Sequence, residues 1–167
     1  MPTSVLTRRA ALPAVVGLVF TPGAILAQSP VRFRSIQVDV GPLRATSGDP
    51  TAAWVAEALP GALAQAFGAY FAPGDRNGAT LIARIDWLFL GPSSGGTGIL
   101  GSAQDEIAGL LIVRGSRGSV AAETPLRANS SYFPTPVDQP LRVQSNHDRI
   151  VALAQSFARW APGQLGI

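Results

Sequence analysis

The chain of 167 residues contains no cysteine. This absence excludes disulfide bonds, thiolate metal sites, thiol nucleophiles and a lipid-bearing cysteine after an export signal. The folded state must therefore be held together by a packed apolar core. Apolar residues make up 47% of the chain, which is an ordinary content for one globular domain with a sizeable interior.

Lysine is also absent, so all thirteen basic residues are arginines. Two of them precede residue 28, whereas the ten acidic residues all lie at or after Asp39. Residues 28–167 therefore carry eleven arginines and ten acids, a net charge of +1, and their arginines are scattered along the chain. Because no dense basic tract is present to neutralise neighbouring phosphates, we do not expect nucleic acid as a partner.

The first 27 residues have the layout of a bacterial export signal. Arg8 and Arg9 precede an uncharged apolar stretch that ends in small residues, with Ala27 at the expected cleavage position. Residues 7–12 resemble a twin-arginine signal, which implies that the domain crosses the membrane already folded. A general secretory signal is the alternative. We expect cleavage after Ala27, one domain over residues 28–167, and a periplasmic location.

An uncleaved signal is the alternative to cleavage. Residues 10–31 carry no charge and are long enough to span a bilayer as a helix, which would anchor the protein in the inner membrane. Pro13, Gly17 and the pair Pro22 and Gly23 interrupt such a helix. The sequence therefore favours cleavage over an anchor, and we expect membrane contact only through an uncleaved signal.

The first half of the mature domain predicts a strand followed by a helix. Apolar and polar residues alternate over residues 34–40, the period of a strand with one buried face. Asp49 ahead of Pro50 favours the start of a helix, and Pro60 predicts a kink in it or its division into two. The apolar stripe of this helix consists of Val55, Leu59, Leu63, Phe67 and Tyr70.

The second half predicts three strands and a last helix. Strands over residues 107–114 and 119–127 flank a turn at 115–118 and form a hairpin. Ser145 or Asn146 can cap the last helix, which Pro162 ends. The strand before the hairpin is predicted to bury Leu81, Ala83, Ile85, Trp87 and Phe89, and the helix to bury Ile150, Leu153, Phe157 and Trp160.

The order β-α-β-β-β-α predicts an α+β, two-layer sandwich: a four-stranded mixed sheet with two helices on one face and the first two strands parallel. This order resembles small Gram-negative envelope-assembly proteins of the LptE-like type. The likeness rests on the strand at 35–40, the helix after Asp49, and the segment 131–133 before the final helix. It implies an accessory role, with an envelope protein or a lipid-assembly component as partner. That family usually carries a lipidated cysteine, which this chain lacks.

One glycine-rich segment has the spacing of a dinucleotide-binding loop. Residues 96–101 read Gly-Thr-Gly-Ile-Leu-Gly and follow a predicted strand. The motif requires a helix to open at its last glycines, so that helix amides meet the pyrophosphate. Here a strand follows instead, so we expect a mobile surface loop and no cofactor.

Acid–base chemistry has few candidates. His147 is the one histidine, and the neighbouring Asp148 is not expected to face it on a helix, so we expect a solvent-facing side chain. Asp39, Asp86 and Glu123 would support a hydrolase or a hard-metal site only if they met in a cleft. Asp105 and Glu106 are expected at a polar loop end. We therefore expect no catalytic residue, no metal site and no enzyme activity.

Our leading hypothesis is a non-catalytic periplasmic protein that binds another envelope component through its sheet edge, its glycine-rich loop or exposed aromatic residues. The alternative is a small-ligand or glycan-binding module, with an apolar pocket lined by Leu81, Ile85 and Phe157; a hydrolase comes third. The candidate partner-binding residues lie off the helix stripe, in the glycine-rich loop and before the proline-rich connection: Trp54, Ile99, Leu100, Tyr132 and Phe133.

Overall fold

The structure is a computed structural model that describes residues 31–91, 103–132 and 142–167, with the backbone alone at 103, 132 and 142–145. The predicted export signal, residues 1–27, lies outside these residues. Within them, no helix is both long and apolar enough to cross a membrane. The elements are β1 (Phe33–Asp39), α1 (Gly41–Ser47), α2 (Thr51–Ala66), β2 (Ala79–Phe89), β3 (Ala103–Arg114), β4 (Val120–Tyr132) and α3 (Arg142–Gln164).

The four strands form one mixed sheet in the order β1-β2-β3-β4. Strands β1 and β2 are parallel, and the other two neighbouring pairs are antiparallel. The predicted α+β class and the parallel first pair are thus confirmed. The short helix α1 was not predicted, because Gly41 and Pro42 are typical of a turn. Proline is also tolerated in the first turn of a helix, and the helix is fixed by the fully buried Leu43.

The apolar core lies between the helices and one face of the sheet. The predicted stripe of α2 is fully buried except for Tyr70, which follows the helix and is half-buried. Pro60 lies inside one continuous helix, so the predicted division of α2 is wrong; its apolar stripe packs on the same core before and after the proline. The largest fully buried side chains include Phe33, Phe67, Phe157, Leu59, Leu63, Leu81, Ile85, Ile107, Leu111, Ile150 and Leu153.

Strand β2 contains a bulge between Ile85 and Trp87. An extra residue in one strand shifts the alternation, so that the side chains beyond it exchange faces. Leu88 is consequently buried, whereas Trp87 and Phe89 are 40% and 46% exposed. The prediction that both aromatic residues face the core is wrong, because a strict two-residue period does not allow for the bulge.

Gly109 of β3 lies opposite the bulge and pairs with Ile85. A Cβ atom at Gly109 would overlap the carbonyl oxygen of Arg84 and lie 3.0 Å from its carbonyl carbon. Only glycine permits this close approach of two backbones. The bulge in β2 therefore depends on a residue in the neighbouring strand.

A buried ion pair joins the sheet to α3. Arg149 Nε donates to Asp105 Oδ2 at 2.8 Å, and Arg149 Nη2 donates to Asp105 Oδ1 and, at 2.7 Å, to the carbonyl of Gly91. The Gly91 amide in turn donates to Asp105 Oδ1 at 3.0 Å. Asp105 is only 1% exposed, so its prediction as a polar loop end is wrong. The pair ties the chain just beyond β2 and the start of β3 to the last helix.

Trp160 on α3 is 63% exposed, which contradicts its prediction as a core residue. Ser156 Oγ donates to the Asn129 carbonyl at 2.9 Å, and Gln164 Nε2 donates to the Pro125 carbonyl at 3.2 Å. Ser156, Trp160 and Gln164 are four residues apart and share one line of the helix. Trp160 therefore lies along the edge of β4, and the buried position one residue later is Ala161.

The ends of α3 also differ from the prediction. The helix begins at Arg142, ahead of the expected caps at Ser145 and Asn146, and it continues to Gln164 with Pro162 inside it. Its predicted core residues Ile150, Leu153 and Phe157 are fully buried.

Removal of one partner of the buried ion pair should destabilise the domain strongly. We expect Asp105→Ala to lower the free energy of unfolding by about 3–5 kcal/mol, because it leaves a buried guanidinium without its carboxylate. The control is Arg127→Ala, which removes a 2.8 Å pair with Glu106 at a side chain that is 72% exposed, and should cost about 0–1 kcal/mol. Urea unfolding measures both; similar losses would contradict the burial of Asp105.

The close approach at Gly109 makes a second prediction. We expect Gly109→Ala to destabilise the domain by about 2 kcal/mol or more, because β2 must move away from β3. In Gly61→Ala, the control in α2, the new methyl group meets nothing within 4 Å, and stability should rise by about 0.5–1 kcal/mol. Thermal and urea unfolding of the two variants should change in opposite directions; a harmless Gly109→Ala would refute the geometry of the bulge.

Candidate functional site

The sheet has a second face, opposite α2 and α3, that no element of the described chain covers. We call this surface the open face. Its apolar side chains lie outside the core cluster, although several are half-buried or buried by their neighbours on the sheet. Those on the two central strands are Ile82, Trp87, Phe89, Ala108, Leu110 and Ile112.

The central strand β3 explains why this face is apolar. Residues 107–113 are all apolar or glycine, a run typical of a strand that is covered on both faces. Ile107, Leu111 and Val113 belong to the core cluster. The alternate residues, including Leu110 and Ile112, therefore lie on the open face. The described chain covers one side of β3 and leaves the other without a packing partner.

Polar residues flank the apolar centre on both sides. The register places Ser35, Gln37 and Asp39 of β1 on one side, and Glu123, Arg127 and Asn129 of β4 on the other. From the pair Ile82 and Ile112 to the pair Phe89 and Glu106 the centre is roughly 20 Å long, which is six steps of about 3.3 Å along β3. An apolar centre with a polar rim is the usual anatomy of a protein–protein interface.

Trp87 and Phe89 are the largest exposed apolar side chains of the open face. Their rings are stacked, with centroids 6.0 Å apart and an interplanar angle of 4°. Both residues are paired with β3, Trp87 with Ala108 and Phe89 with Glu106, so little backbone freedom is left for a partner to remove. Large aromatic side chains held in this way are the usual anchors of binding energy.

Two ion pairs of the open face form within the chain, and the first is on β2. Arg84 Nε lies 2.9 Å from Asp86 Oδ1. The hydrogen bond and the charge of Asp86 raise the pKa of the Arg84 guanidinium above its usual value, with smaller contributions from Glu123 and Asp39. This guanidinium therefore stays charged.

The three carboxylates considered for a hydrolase thus lie near one arginine, but on an open sheet face rather than in a cleft. Asp86 is engaged by Arg84, and Asp39 and Glu123 lie on the two edge strands. Within the described ranges, no group of three or more acidic or histidine side chains could hold a metal ion. The arrangement offers no paired acid and base with substrate access between them.

The edges of the sheet are less available than its open face. Pro125 has no amide hydrogen, and the carbonyls of Pro125 and Asn129 accept hydrogen bonds from α3, so β4 is partly capped. At the other edge, the Phe33 amide donates to the Tyr70 carbonyl and the Phe33 carbonyl accepts from Ala72, both at 2.8 Å. Binding at a sheet edge, one of the predicted modes, is therefore less favoured than binding on the face.

The helical layer holds Trp54 and His147. Their rings meet edge to face with centroids 5.6 Å apart, so His147 is half-buried and does not face solvent as predicted. Its Nδ1 lies 3.6 Å from the Asp148 carboxylate, which is longer than a hydrogen bond. Trp54 packs against the core.

A shallow groove runs between α2 and α3. Its two adjacent hollows, of about 280 and 540 Å³, share Ala62, Gln65 and Gln155. The apolar ligand pocket predicted around Leu81, Ile85 and Phe157 is not found there, because all three side chains are fully buried in the core.

The predicted partner-binding residues do not come together in the described part of the chain. Trp54 lies in the helical layer, away from the open face. Ile99, Leu100 and Phe133 lie outside the described residues, as does the glycine-rich segment 96–101, and Tyr132 ends β4 with its backbone alone. Sequence reasoning missed Leu110 and Ile112; the signal that could have found them is the unbroken apolar run of β3.

No protein-family model matches the chain, and no curated protein matches it. Among solved structures, it is similar to a minor lipoprotein from Acinetobacter baumannii, with 14% identity, 78% of this chain and 94% of the other covered, and a TM-score of 0.39. It is also similar to a proposed lipoprotein from Caulobacter crescentus CB15, with 15% identity, 80% and 87% covered, and a TM-score of 0.44.

A third similar structure is a lipoprotein from Neisseria meningitidis, with 14% identity, 71% of this chain and 98% of the other covered, and a TM-score of 0.26. Bacterial lipoproteins are thus among the structures that the chain resembles. At TM-scores below 0.5 these likenesses carry no argument about activity or partner. The LptE-like resemblance and the export signal stay predictions from the sequence.

The bulge in β2 makes a prediction about neighbouring residues. We expect Leu88→Ala to cost about 2–4 kcal/mol of stability, because it empties a buried site. Trp87→Ala should cost about 1 kcal/mol or less, although it removes the larger side chain, because that side chain faces solvent. Urea unfolding of the two variants checks the assignment, and a reversed order would mean that the aromatic residue faces the core.

Proposed function

We propose that this is a non-catalytic accessory protein of the cell envelope, exported to the periplasm, that acts by binding a protein partner with its open face. The observation that carries the proposal is the apolar centre of that face, where Trp87 and Phe89 are stacked and nearly half exposed. Contiguous apolar patches with a polar rim mark interaction sites on small domains.

Two ion pairs within the open face make it suitable for a protein partner. Arg84 and Asp86 of the central strand β2 pair with each other, and Arg127 of β4 pairs with Glu106 of β3. A partner that covers the face therefore does not have to supply a countercharge for each of these groups. Burial of an unpaired charge would cost several kcal/mol, on the order of the whole gain from one aromatic anchor. Apolar contact at the centre can then contribute to affinity.

The shape of the site favours a protein over a small molecule. Small-molecule sites are concave and enclose most of the ligand surface. The open face is one side of a four-stranded sheet, which presents a broad surface without enclosing walls. The stacked rings of Trp87 and Phe89 support a glycan-binding module as the second candidate, because sugars stack on exposed aromatic rings.

The proposal is tested by crosslinking in the native host, with the tagged full chain expressed under its own export signal. We expect crosslinked complexes to form with the unchanged protein and to fall at least ten-fold, roughly the loss of one aromatic hot spot, in the double variant Trp87→Ser, Phe89→Ser. The recovered chain should begin at Gln28 and come from the periplasmic fraction. Mass spectrometry identifies the chains in each complex.

The matched control is Trp160→Ser, which removes an exposed tryptophan from α3 and should leave the crosslinked complexes unchanged. Equal capture by the double variant would refute the open face as the binding surface. Capture lost by Trp160→Ser alone would move the site to the edge of β4. If the soluble protein binds purified envelope glycans through Trp87 and Phe89 and no protein is captured, the second candidate replaces the first.

A further inference from the structure

We infer that the surface matched to the open face is the open face of a second copy, so that two chains pack sheet against sheet. This inference rests on the proposed function, because it uses the same face. The inference rests on the pattern of charges along β3 and β4. Leu110 of β3 and Pro125 of β4 are direct partners in the sheet register, and the charges are arranged on either side of them.

On β3, Arg114 lies four residues after Leu110, and Glu106 lies four residues before it. All three side chains lie on the open face, because the intervening Ile107 and Val113 belong to the core. We place a two-fold axis in the plane of the interface, perpendicular to the strands at Leu110. This axis relates the two copies so that β3 of one lies antiparallel over β3 of the other. It therefore brings Arg114 of each copy over Glu106 of the other.

The same axis pairs the charges of β4. Glu123 lies two residues before Pro125, and Arg127 lies two residues after it. The axis that passes through Leu110 also passes through its neighbour Pro125, and so places Glu123 of each copy over Arg127 of the other. Within each copy Glu106 already lies 2.8 Å from Arg127. The axis therefore adds Arg114 of the second copy beside Glu106 and Glu123 of the second copy beside Arg127, which extends each pair into a row of four alternating charges. This is the self-complementarity that an isologous interface requires.

The apolar centre fits the same operation. Ile112 and Ala108 lie two residues on either side of Leu110, so the larger side chain of one copy faces the smaller one of the other. On β2 the pair partners of Ala108 and Ile112 are Trp87 and Ile82, so Trp87 of one copy lies over Ile82 of the other. On β3 the match of a large with a small side chain lets the two sheets interdigitate at the usual spacing of about 10 Å, and on β2 two large apolar side chains meet.

The residues that lie on the two-fold axis include charged groups, and each of these faces the same residue of the second copy. Arg84 is the pair partner of Leu110, and Asp39 is the pair partner of Arg84. Each Arg84 is already held by Asp86 at 2.9 Å, and the adjacent Asp39 adds a second carboxylate. One guanidinium and two carboxylates leave a net charge of −1 in each cluster, so the row on the axis adds a repulsion that the charge pairs on β3 and β4 must outweigh.

The size of the overlap predicts a weak dimer. Only β2, β3 and β4 overlap their copies, because β1 ends at the axis, where Asp39 pairs with Arg84. Three strands about 4.8 Å apart that overlap over roughly 27 Å give a flat footprint of about 400 Å² per copy before side-chain relief is added. Stable interfaces bury about 800 Å² per partner, so we expect this dimer to dissociate on dilution.

Charge reversal on the rim tests the inference. Sedimentation equilibrium of the exported protein should show a dimer for the unchanged chain. Arg114→Glu and Glu106→Arg should each weaken that dimer at least ten-fold, because each change places like charges against each other twice. An equimolar mixture of the two variants should recover a heterodimer, since every contact between them then joins opposite charges.

Arg117→Glu is the matched control, because it makes the same charge change in the exposed turn between β3 and β4 and should leave the dimer intact. Circular dichroism and thermal unfolding verify that each variant is folded. The pair Glu123→Arg and Arg127→Glu repeats the experiment on β4 if either β3 variant does not fold. A monomeric unchanged chain, or variants that stay dimeric alone, would overturn the inference.

The outcomes also separate this inference from the proposed function. If the unchanged chain is monomeric, but crosslinking to a different envelope protein still depends on Trp87 and Phe89, the second copy is wrong and the proposed function stands. If the chain is monomeric and nothing is captured through those two residues, both are wrong. A dimer with heterodimer rescue supports the inference, and the proposed function then stands only if a different envelope protein is also captured.

Discussion

The contact between the bulge of β2 and Gly109 of β3 determines which side chains of β2 enter the core and which lie on the open face. A glycine allows the backbone of Arg84 to approach β3 closely, and the extra residue shifts the alternation that follows. Leu88 enters the core, and Trp87 and Phe89 move to the opposite face. Without this shift the two aromatic residues would face the helices, and the open face would lack its largest apolar side chains. One backbone contact therefore places Leu88 in the core and its two neighbours, Trp87 and Phe89, on the open face.

The rest of the fold makes that surface rigid. Helices α2 and α3 pack on one side of the sheet around a continuous core, and the buried pair of Asp105 and Arg149 fixes α3 to the sheet where β2 ends and β3 begins. A rigid face loses little conformational entropy when it is covered, so more of the burial energy appears as affinity. The same rigidity keeps the rim charges in register with the apolar centre, which a self-complementary surface requires.

The sequence could predict most of the fold because its local patterns agree with one another. The strand periods, the stripe of α2, the glycine-containing turn between β3 and β4 and the order of elements all indicate the same α+β sheet. The residues that were assigned wrongly share one property, namely that a neighbour distant in sequence decides their environment. Asp105 is buried because Arg149 reaches it from α3. Trp160 is exposed because its line of the helix lies along β4.

The candidate site was harder to predict than the fold. The aromatic residues Trp54 and Tyr132 stood out in the sequence, but the open face is built from β2 and β3, whose residues looked like ordinary core.

The sequence by itself determined the absence of disulfides, the α+β order of elements and the helix stripes. It also determined that β3 is apolar on both of its faces. Only the tertiary structure decided which side the helices cover and where β2 bulges. The physical reason is that periodicity fixes which side chains share a face, but it does not tell which face is buried. Packing against other elements makes that choice, and one inserted residue reverses it.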